Sequence, residues 1–526
     1  MVEELENSGG SLHNSELISD DRQDNDTEPK EYLPEAMRSS SPVLAVGSPR
    51  RATEVGKATN IVEWEKGDRE NPHSWSFARK IYITMVINTL PLVVNIGSSI
   101  MSSASTAIGK EYSVGSEVTT LTTSLYLMGY ATGPFLFGPI SERLGRKVPL
   151  IIGLLGFASF CLPIALAQNL YTVMICRFFM GFFGSSSMAI TAGAMSDIWN
   201  TLVGRGIGVD YFVLMAFIGP VIGPVLGAFV TKSHLGWRWT MWIMAIVAFT
   251  DLIFAFLLLP ETYAPVLLAK KAARLRIQTR NWALHSRLEE TTTDLKTLAK
   301  VYLVRPWILL GTEPIHLLIT VYISFAYAVL FLFFESFPIS FVEDRHWKPQ
   351  IGALSFLGLL VGALIAFVLV AYYTLTVYAR EVALTTTGVI VPERRLPPMM
   401  AGAVVFPIGF FWFAWTSDPT IPWPAQVIST ALVGAGIYIV MIQGLKYLVD
   451  VYLLVANSAI SANTAVRSLT AAGFPLFAIP MYHKLGVAWA TSLLGFLSLV
   501  MVPIPVLFYV YGQKLRAMSR GALNTL

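Results

Sequence analysis

Ionisable residues inside or at the ends of long apolar stretches of this 526-residue chain include Arg177, Asp251, Glu335 and Arg467. Asp210 and Glu313 lie closer to the ends of such stretches, where a solvated or interlocking role is favoured. Charged side chains are rare in such surroundings, and those that occur usually serve a proton or ion pathway or bind a ligand. The carboxyl groups of Asp251 and Glu335 are therefore candidate proton carriers, although a structural role accounts for them equally well. Arg467 is a candidate partner for one of these acids or for an anionic substrate. Arg177 is a functional candidate, and its alternative is a cation that reaches toward the membrane surface.

Other polar and aromatic residues of these stretches are candidates for lining a binding cavity. Asn95 and Asn463 are the clearest polar ones, because polar groups in an apolar span usually turn away from lipid. Tyr327 belongs to an aromatic group at 322–334. Such a group suits flat hydrophobic compounds, although packing alone accounts for most aromatic residues of this kind.

A short charged turn, "GPISERLGRK" at 138–147, interrupts the apolar sequence. Its glycines permit tight backbone geometry, and its acid suits a helix N-terminus. Its cations can pair with a carboxylate at a neighbouring helix end. The alternative is a basic turn that only resists translocation across the membrane. The residues concerned are Gly138, Glu142, Arg143, Gly145, Arg146, Lys147 and, as the neighbouring carboxylate, Asp197.

A second motif, "GPVIGPVLGA" at 219–228, places three glycines four residues apart on one side of a helix. Small residues at that spacing let another helix approach closely, and each proline removes a backbone donor and can bend the helix. We expect the partner helix to contribute Gly358 and Gly362. The motif residues are Gly219, Pro220, Gly223, Pro224 and Gly227.

The composition indicates which elements position these residues. The chain is 54% hydrophobic and 14% charged, against about 25% charged residues in globular proteins. At least six windows contain no charge over about 20 residues, the length of a membrane-crossing helix. Because backbone polar groups must be satisfied inside lipid, helices are expected rather than open sheets. The sequence therefore predicts an all-α polytopic membrane protein.

We predict twelve spans in two halves of six, an arrangement typical of transporters whose substrate site lies near the midplane. The predicted parts are a disordered tail at 1–70, a first half at 71–260, a linker at 261–306, a second half at 307–511 and a tail at 512–526. Lys and Arg concentrate in the turn between spans 2 and 3, the linker, the 8–9 loop and the C-terminal tail. This bias predicts that both termini are cytoplasmic. The spans are 81–104, 118–139, 148–167, 170–193, 206–230, 239–260, 307–334, 350–373, 399–416, 424–445, 453–479 and 486–511.

The charged turn resembles the signature loop of the major facilitator superfamily, Gly-x-x-x-Asp-Arg-x-Gly-Arg-Lys, with Glu142 at the Asp position. The resemblance implies that Glu142, Arg143 and Asp197 form an interlock that holds in one conformation and breaks in the other. The span-5 motif resembles the antiporter motif of the superfamily's exporters, although Ala228 stands where that family usually has Gly. "RFFMGFFGSS" in span 4 resembles a motif whose Arg, here Arg177, is linked to proton coupling.

Further stretches, such as "NPHSWSFARK", "PERRLPPMM" and "YLVDVYLLVANSAISANTAVRS", are similar to fungal drug:proton antiporters, and the resemblance covers about residues 70–520. It implies a twelve-helix major facilitator fold and proton-coupled export of a hydrophobic drug, toxin or fungal secondary metabolite by alternating access. A polyamine:proton antiporter and a non-transporting membrane sensor on the same scaffold are the alternatives.

The sequence also limits the energy source and the partners. No Gly-x-x-x-x-Gly-Lys-[Ser/Thr] loop occurs, so an ion gradient or the substrate's own gradient must drive transport. An enzyme is not expected, since His316 is the only histidine placed inside a span. We expect no cofactor, no metal and no nucleic-acid partner. The expected partners are the lipid bilayer, protons and a small molecule, for a monomer in the plasma membrane.

Overall fold

The computed structural model describes residues 60–290, 300–384 and 391–519. Within these ranges the regular structure is helical, and the one β-type contact is an isolated bridge between Ile61 and His285. Most of the predicted N-terminal tail, up to position 59, lies outside the described residues.

The membrane helices are labelled by the span to which they correspond, with spans 2 and 7 each divided into two parts. Glu313 is extended before Pro314, as expected of a residue that precedes proline, and this divides span 7. The bounds are α1 Phe77–Ser99, α2a Ser116–Thr132, α2b Pro134–Leu144, α3 Lys147–Ala165, α4 Leu170–Ile198, α5 Leu202–Lys232, α6 Arg238–Leu258, α7a Arg305–Thr312, α7b Pro314–Phe337, α8 Phe356–Tyr373, α9 Leu396–Trp415, α10 Trp423–Val451, α11 456–485 and α12 487–518.

Shorter helices connect these spans. The linker helix, Ala264–Thr279, follows α6. The remaining short helices are Pro72–Ser74, Ser102–Ala104, Ser105–Tyr112, Arg287–Glu290, Lys300–Val304, Pro338–Asp344, Pro349–Ala353, Thr374–Tyr378, Ala379–Leu384, Pro392–Arg395 and Leu453–Val455.

Ten helical stretches within the described residues are long and apolar enough to cross a membrane. One of them, Ala456–Met518, contains two crossings because the chain bends at Gly486, where φ is 74°. The hydroxyl oxygens of Tyr482 and Thr491 are 3.2 Å apart, whereas a straight helix would separate residues nine positions apart by about 13 Å. With α2a and α2b as the remaining crossing, the described chain forms the twelve predicted spans.

Each half is held together by its own helix contacts. In the first half α1 packs against α5, and α4 packs against α2a and α3. In the second half α7b packs against α11, and α10 packs against α8 and α9. The two halves meet where α2a contacts α11 and where α5 contacts α8 and α10. Among the candidate residues, Glu335 and Arg467 lie between the halves.

The helix ends define two faces of the bundle. The linker face carries the ends at 142–147, 197–202, 258–264, 305–313 and 451–457. The distal face carries the ends at 100–116, 166–170, 233–238, 338–349 and 416–423. All positions below are given relative to these faces.

Residues 60–70 lie against the linker rather than forming part of a disordered tail. Asp68 pairs with Lys271 at 2.7 Å and Glu70 with Arg274 at 2.5 Å, and the Val62 N–H donates to the carbonyl oxygen of residue 285 at 2.9 Å. The hydrogen bond from Lys271 lowers the pKa of Asp68. Opposite charges on the two segments therefore order a stretch that its composition alone assigned to the tail.

Candidate functional site

A cavity of about 120 Å³ lies between the two halves on the linker side of the bundle. Helices α4 and α5 line it from the first half, and α10 and α11 line it from the second. It extends from the buried Arg467 to Arg205, Arg395 and Asp450 near the linker face, where the exposed Asn457 also borders it. Pockets for drug-sized ligands usually enclose about 300–1,000 Å³. The halves must therefore move apart before such a ligand can fit.

A buried ion pair joins the halves beside this cavity. Lys446 Nζ on α10 lies 2.5 Å from Asp210 Oδ1 on α5, and the two side chains are 4% and 0% exposed. The Tyr438 hydroxyl of α10 donates to the Asp210 carbonyl oxygen at 2.8 Å. Arg395 pairs with Asp450 within the second half, and its charge also acts on Asp210. These contacts hold α5 against α10 on the linker side.

The charged turn at 138–147 is fixed to the ends of neighbouring helices. Arg146 Nε donates to Asp197 Oδ2 at the end of α4, at 2.8 Å. Glu261 accepts hydrogen bonds from the backbone N–H groups of Arg146 and Lys147 at 2.8 and 3.1 Å. Gly145 has a φ of 89°, and a Cβ there would lie 2.3 Å from a Glu261 carboxylate oxygen, so both the backbone angle and the space require glycine.

The pairing within this turn differs from the one that the family resemblance implied. Asp197 binds Arg146, whereas Arg143 is exposed on the last turn of α2b. The chain reverses at Gly145, and this brings the residue after the turn, rather than the one before it, over the end of α4. Gly138 lies inside α2b, and a Cβ added there would meet no atom within 4 Å, so the structure gives no reason for a glycine there.

Glu142 links the turn to the second half of the protein. Its carboxylate accepts a hydrogen bond from Asn457 Nδ2 at the start of α11, at 2.5 Å. The Tyr302 hydroxyl, which precedes α7a, donates to its other oxygen. Together with the Asp210–Lys446 pair, these contacts connect the halves on the linker side.

Arg177 holds three helices of the first half together. Its guanidinium is fully buried and donates to the carbonyl oxygens of Thr122, Gly97 and Ser98 at 3.0, 2.7 and 2.9 Å. It also lies over the Tyr126 ring, 4.7 Å from its centre. Because its donors are directed at backbone carbonyls of α1 and α2a, the observed contacts are those of a structural clamp rather than a snorkelling cation.

The glycines of the α5 motif face α1. A Cβ on Gly223 would lie 1.9 Å from Ser99 Oγ, and one on Gly227 would lie 2.1 Å from the Ile100 carbonyl oxygen. Both distances are far below van der Waals contact, so only glycine allows this approach of the two helices. Pro220 and Pro224 lie inside the continuous α5 helix.

The glycines predicted to face this motif from span 8 lie elsewhere. A Cβ on Gly358 would meet Thr430 Oγ1 at 2.0 Å, and one on Gly362 would meet the Ala431 carbonyl oxygen at 1.8 Å. Both neighbours belong to α10. The predicted glycine-to-glycine contact between spans 5 and 8 is therefore wrong, because α8 directs its small residues toward its own half.

The two candidate acids occupy different places. Asp251 lies within the first half, where it accepts a hydrogen bond from Thr89 Oγ1 of α1 at 2.6 Å. Glu335 lies between the halves near the distal face, where Thr120 Oγ1 of α2a approaches its Oε1 to 3.4 Å. The structure thus separates two residues that the sequence treated alike.

Arg467 lies deep in the cavity on α11 and is 1% exposed. Its guanidinium is over the ring of Tyr327 on α7b, 4.7 Å from the ring centre. None of its three nitrogens has a hydrogen-bond partner among the described residues. Asn463, one turn earlier on α11, donates to Thr320 Oγ1 at 3.3 Å, while its side-chain oxygen has no partner in the described part of the chain.

Asn95 does not line this cavity. Its amide donates to the Pro91 carbonyl oxygen within α1 at 2.8 Å, and its Cβ lies where a side chain on Gly219 would be placed, 2.5 Å away. It is therefore part of the α1–α5 interface.

Sequence reasoning missed Lys446, Arg395 and Asp450. The predicted span 10 stops at 445, directly before the lysine, whereas α10 continues to Val451. An available signal was the pair of opposite charges at Lys446 and Asp210, each near the linker-side end of a long apolar helix. The described residues contain no group of His, Cys, Asp and Glu side chains that could hold a metal ion.

Comparison with known proteins provides an independent view of the chain. Residues 90–475 match the Major Facilitator Superfamily. The "Citrinin biosynthesis cluster MFS transporter mrr1" of Monascus ruber is 51% identical over 462 residues, which cover 88% of this chain and 92% of the relative. The "Ascochitine biosynthesis cluster MFS transporter" of Didymella fabae is 44% identical, with 91% and 92% covered.

A solved structure shows the same fold. The proton:xylose symporter XylE bound to 6-bromo-6-deoxy-D-glucose superimposes with a TM-score of 0.58 at 16% sequence identity. The match covers 84% of this chain and 96% of that chain. At this identity the likeness concerns the arrangement of the helices alone.

Proposed function

Because the chain belongs to the major facilitator superfamily and is a multi-pass membrane transporter of small molecules, we propose that it exports a fungal secondary metabolite, or a similar hydrophobic drug or toxin, in exchange for protons. The relatives named for citrinin and ascochitine biosynthesis clusters favour a secondary metabolite as the cargo. Alternating access moves the two halves about the cavity between them.

The observation that carries the exporter assignment is the packing of the α5 motif. Gly223 and Gly227 bring the α5 backbone against α1, and this motif resembles the one found in the superfamily's exporters. Such close packing makes α1 and α5 one rigid unit. Because α5 lines the cavity, movement of this unit relative to the second half changes the shape of the cavity.

Glu335 is the preferred proton carrier. It lies between the halves, next to Thr120 of α2a, so that a change in its charge acts directly on an interhalf contact. Asp251 lies at the α1–α6 interface within one half. Protonation there has less effect on the position of one half relative to the other. We expect Glu335→Gln to flatten the pH dependence of transport and Asp251→Asn to preserve it.

Polyamine export is disfavoured by the charges of the cavity. Arg205, Arg395, Lys446 and Arg467 line it together with one acid, Asp450. A polycation would be repelled there rather than bound. The accumulation measurement described below distinguishes a non-transporting sensor from the proposed exporter.

The membrane orientation follows from the basic residues. The linker face carries Arg143, Arg146, Lys147 and the cations of the linker helix, and positive charge favours the cytoplasmic side. We therefore propose that the linker face is cytoplasmic. A plasma-membrane location and a monomeric state are separate parts of the proposal and do not depend on this charge bias.

The test is accumulation of lipophilic toxins and of spermidine in efflux-deficient yeast that expresses the protein, with and without a protonophore. Lower accumulation of a lipophilic compound that returns to the control level with the protonophore is expected. Efflux that persists without a proton gradient would refute proton coupling. Selective export of spermidine would instead establish the polyamine alternative, and absence of flux for every compound would favour the sensor.

A further inference from the structure

The cavity between the halves contains more positive charge than its acids neutralise. Four of its lining residues are cations, of which Lys446 pairs with Asp210 and Arg395 pairs with Asp450. The other two cations, Arg205 and Arg467, form no ion pair within the described residues. Arg205 lies at the linker-face end, where water can reach it, whereas Arg467 is buried.

The position of Arg467 is unfavourable without a further partner. A guanidinium carries five N–H donors, and leaving a buried charge without an opposite charge or acceptor is strongly destabilising. Arg177 shows how this chain otherwise treats a buried arginine, because its donors reach three carbonyl oxygens. Among the described residues Arg467 has no hydrogen-bond partner and lies over the face of the Tyr327 ring. The ring orients the guanidinium but leaves its edge free to bind a ligand.

The remaining walls define the rest of such a ligand. Met188, Val209, Phe212, Val213, Leu445 and Ile460 give the cavity an apolar surface beside Arg467, the buried lining cation without an ion pair in the described part of the chain. A small hydrated anion would leave this surface without contacts. A ligand that joins a planar oxyanion to an apolar or aromatic body satisfies both parts of the wall.

We propose that Arg467 is the specificity-determining residue of the substrate site and that the exported compound is an amphipathic organic acid, bound by its carboxylate. This inference rests on the proposed function, since it names the substrate class of the same cavity. The carboxylate forms a bidentate ion pair with the guanidinium, and the apolar body lies against α4, α5 and α10. When the halves separate at the distal face, the acid is released on that side of the membrane.

The test is equilibrium binding to the purified full-length protein in lipid nanodiscs, measured by isothermal titration calorimetry. The probes are 2-naphthoate, anthracene-9-carboxylate and biphenyl-4-carboxylate, each compared with its primary amide, which has the same shape and no charge. We expect at least one acid to bind at least about tenfold more tightly than its amide, since hydrogen bonds to charged groups are worth about that much or more. Equal binding of acids and amides, or no measurable binding of any acid, would overturn the proposal.

Variants separate recognition by Arg467 from a general effect of charge. Arg467→Gln should abolish the preference for the acid, and Arg467→Lys should retain part of it. Arg79→Gln removes the same charge from an exposed position outside the cavity and should leave the preference intact. An undiminished preference in Arg467→Gln would overturn the proposal.

Stability and flux measurements separate ligand recognition from a structural role and from proton coupling. The melting temperature of ligand-free Arg467→Gln should not fall, because the removed cation has no hydrogen-bond partner among the described residues. A large fall, together with acid binding that survives in the folded fraction, would assign Arg467 a structural role. In proteoliposomes, a flux of the bound acid that does not depend on the proton gradient would refute the proposed coupling. It would leave the anion site established.

Discussion

Removal of one member of the Asp210–Lys446 pair should open the cavity toward the linker face. At 2.5 Å, two unit charges attract each other by roughly 7 kcal/mol at an effective dielectric constant of about 20. The cost of removing both charges from water offsets most of this attraction. A single neutralisation removes the attraction and leaves the desolvation, so it destabilises the closed contact by about 3–5 kcal/mol.

The two single variants should open the cavity to different extents, and the double variant should restore the closed contact between the halves. Asp210→Asn leaves Lys446 facing the nearby charge of Arg395, whereas Lys446→Met leaves Asp210 with Arg395 as a remaining cation. Asp210→Asn should therefore open the cavity more. The double variant Asp210→Asn/Lys446→Met removes both charges of the pair, so no unpaired charge of this pair remains buried. The closed contact should therefore recover.

The assay is alkylation of a cysteine introduced at Ile460, a cavity-lining position, by a maleimide applied from the linker face. The two native cysteines, Cys161 and Cys176, are buried, so background labelling is low. A shift of about 3 kcal/mol or more corresponds to a change of at least about 100-fold in the closed-to-open ratio. Labelling should therefore accelerate strongly in the single variants. A cysteine at Thr279, exposed on the linker helix, is the control and should react equally in all variants.

Two results would refute this reasoning. Single variants that label at the rate of the parent would show that the pair does not hold the halves together. A double variant that labels as fast as Asp210→Asn would show that attraction, rather than the balance between attraction and desolvation, stabilises the closed contact.

Three further predictions concern packing, the buried clamp and the N-terminal contact. Gly227→Ala should destabilise the protein by about 1–3 kcal/mol, because its Cβ would lie 2.1 Å from the carbonyl oxygen of Ile100, directly after α1. The control Gly473→Ala, with open space around its position in α11, should not lower the melting temperature. Arg177→Gln should lower the melting temperature, since carbonyl oxygens of α1 and α2a lose their donors at about 1–3 kcal/mol each, and an unchanged value would contradict the clamp. The pKa of Asp68 is lowered by Lys271, so this pair stabilises the folded contact above about pH 4, its unfolded pKa, and the stabilisation disappears as pH falls through the lowered pKa. Hydrogen exchange at Val62, corrected for intrinsic rates, should then accelerate in acid, and Lys271→Ala should reproduce this at neutral pH.

The sequence alone determined the membrane class, the twelve spans and the places of the two motifs. These features depend on local properties: the length of uncharged apolar stretches, the position of Lys and Arg, and the spacing of glycine and proline along one helix. Gly223 and Gly227 were recognised as close-packing residues for this reason. Their partner helix was not, because spacing along α5 does not reveal which neighbour meets its small side.

Only the tertiary structure decided which charges meet. Asp197 faces Arg146 because the backbone reverses at Gly145. Lys446 is tolerated inside α10 because Asp210 approaches it from the other half, and Arg467 stands out because no acid approaches it within the described residues. The crossing and rotation of whole helices fix these contacts between residues that are far apart in the chain. A charge in an apolar span marks a candidate in the sequence, and its neighbours in the fold determine whether it locks two helices together or is left for a ligand.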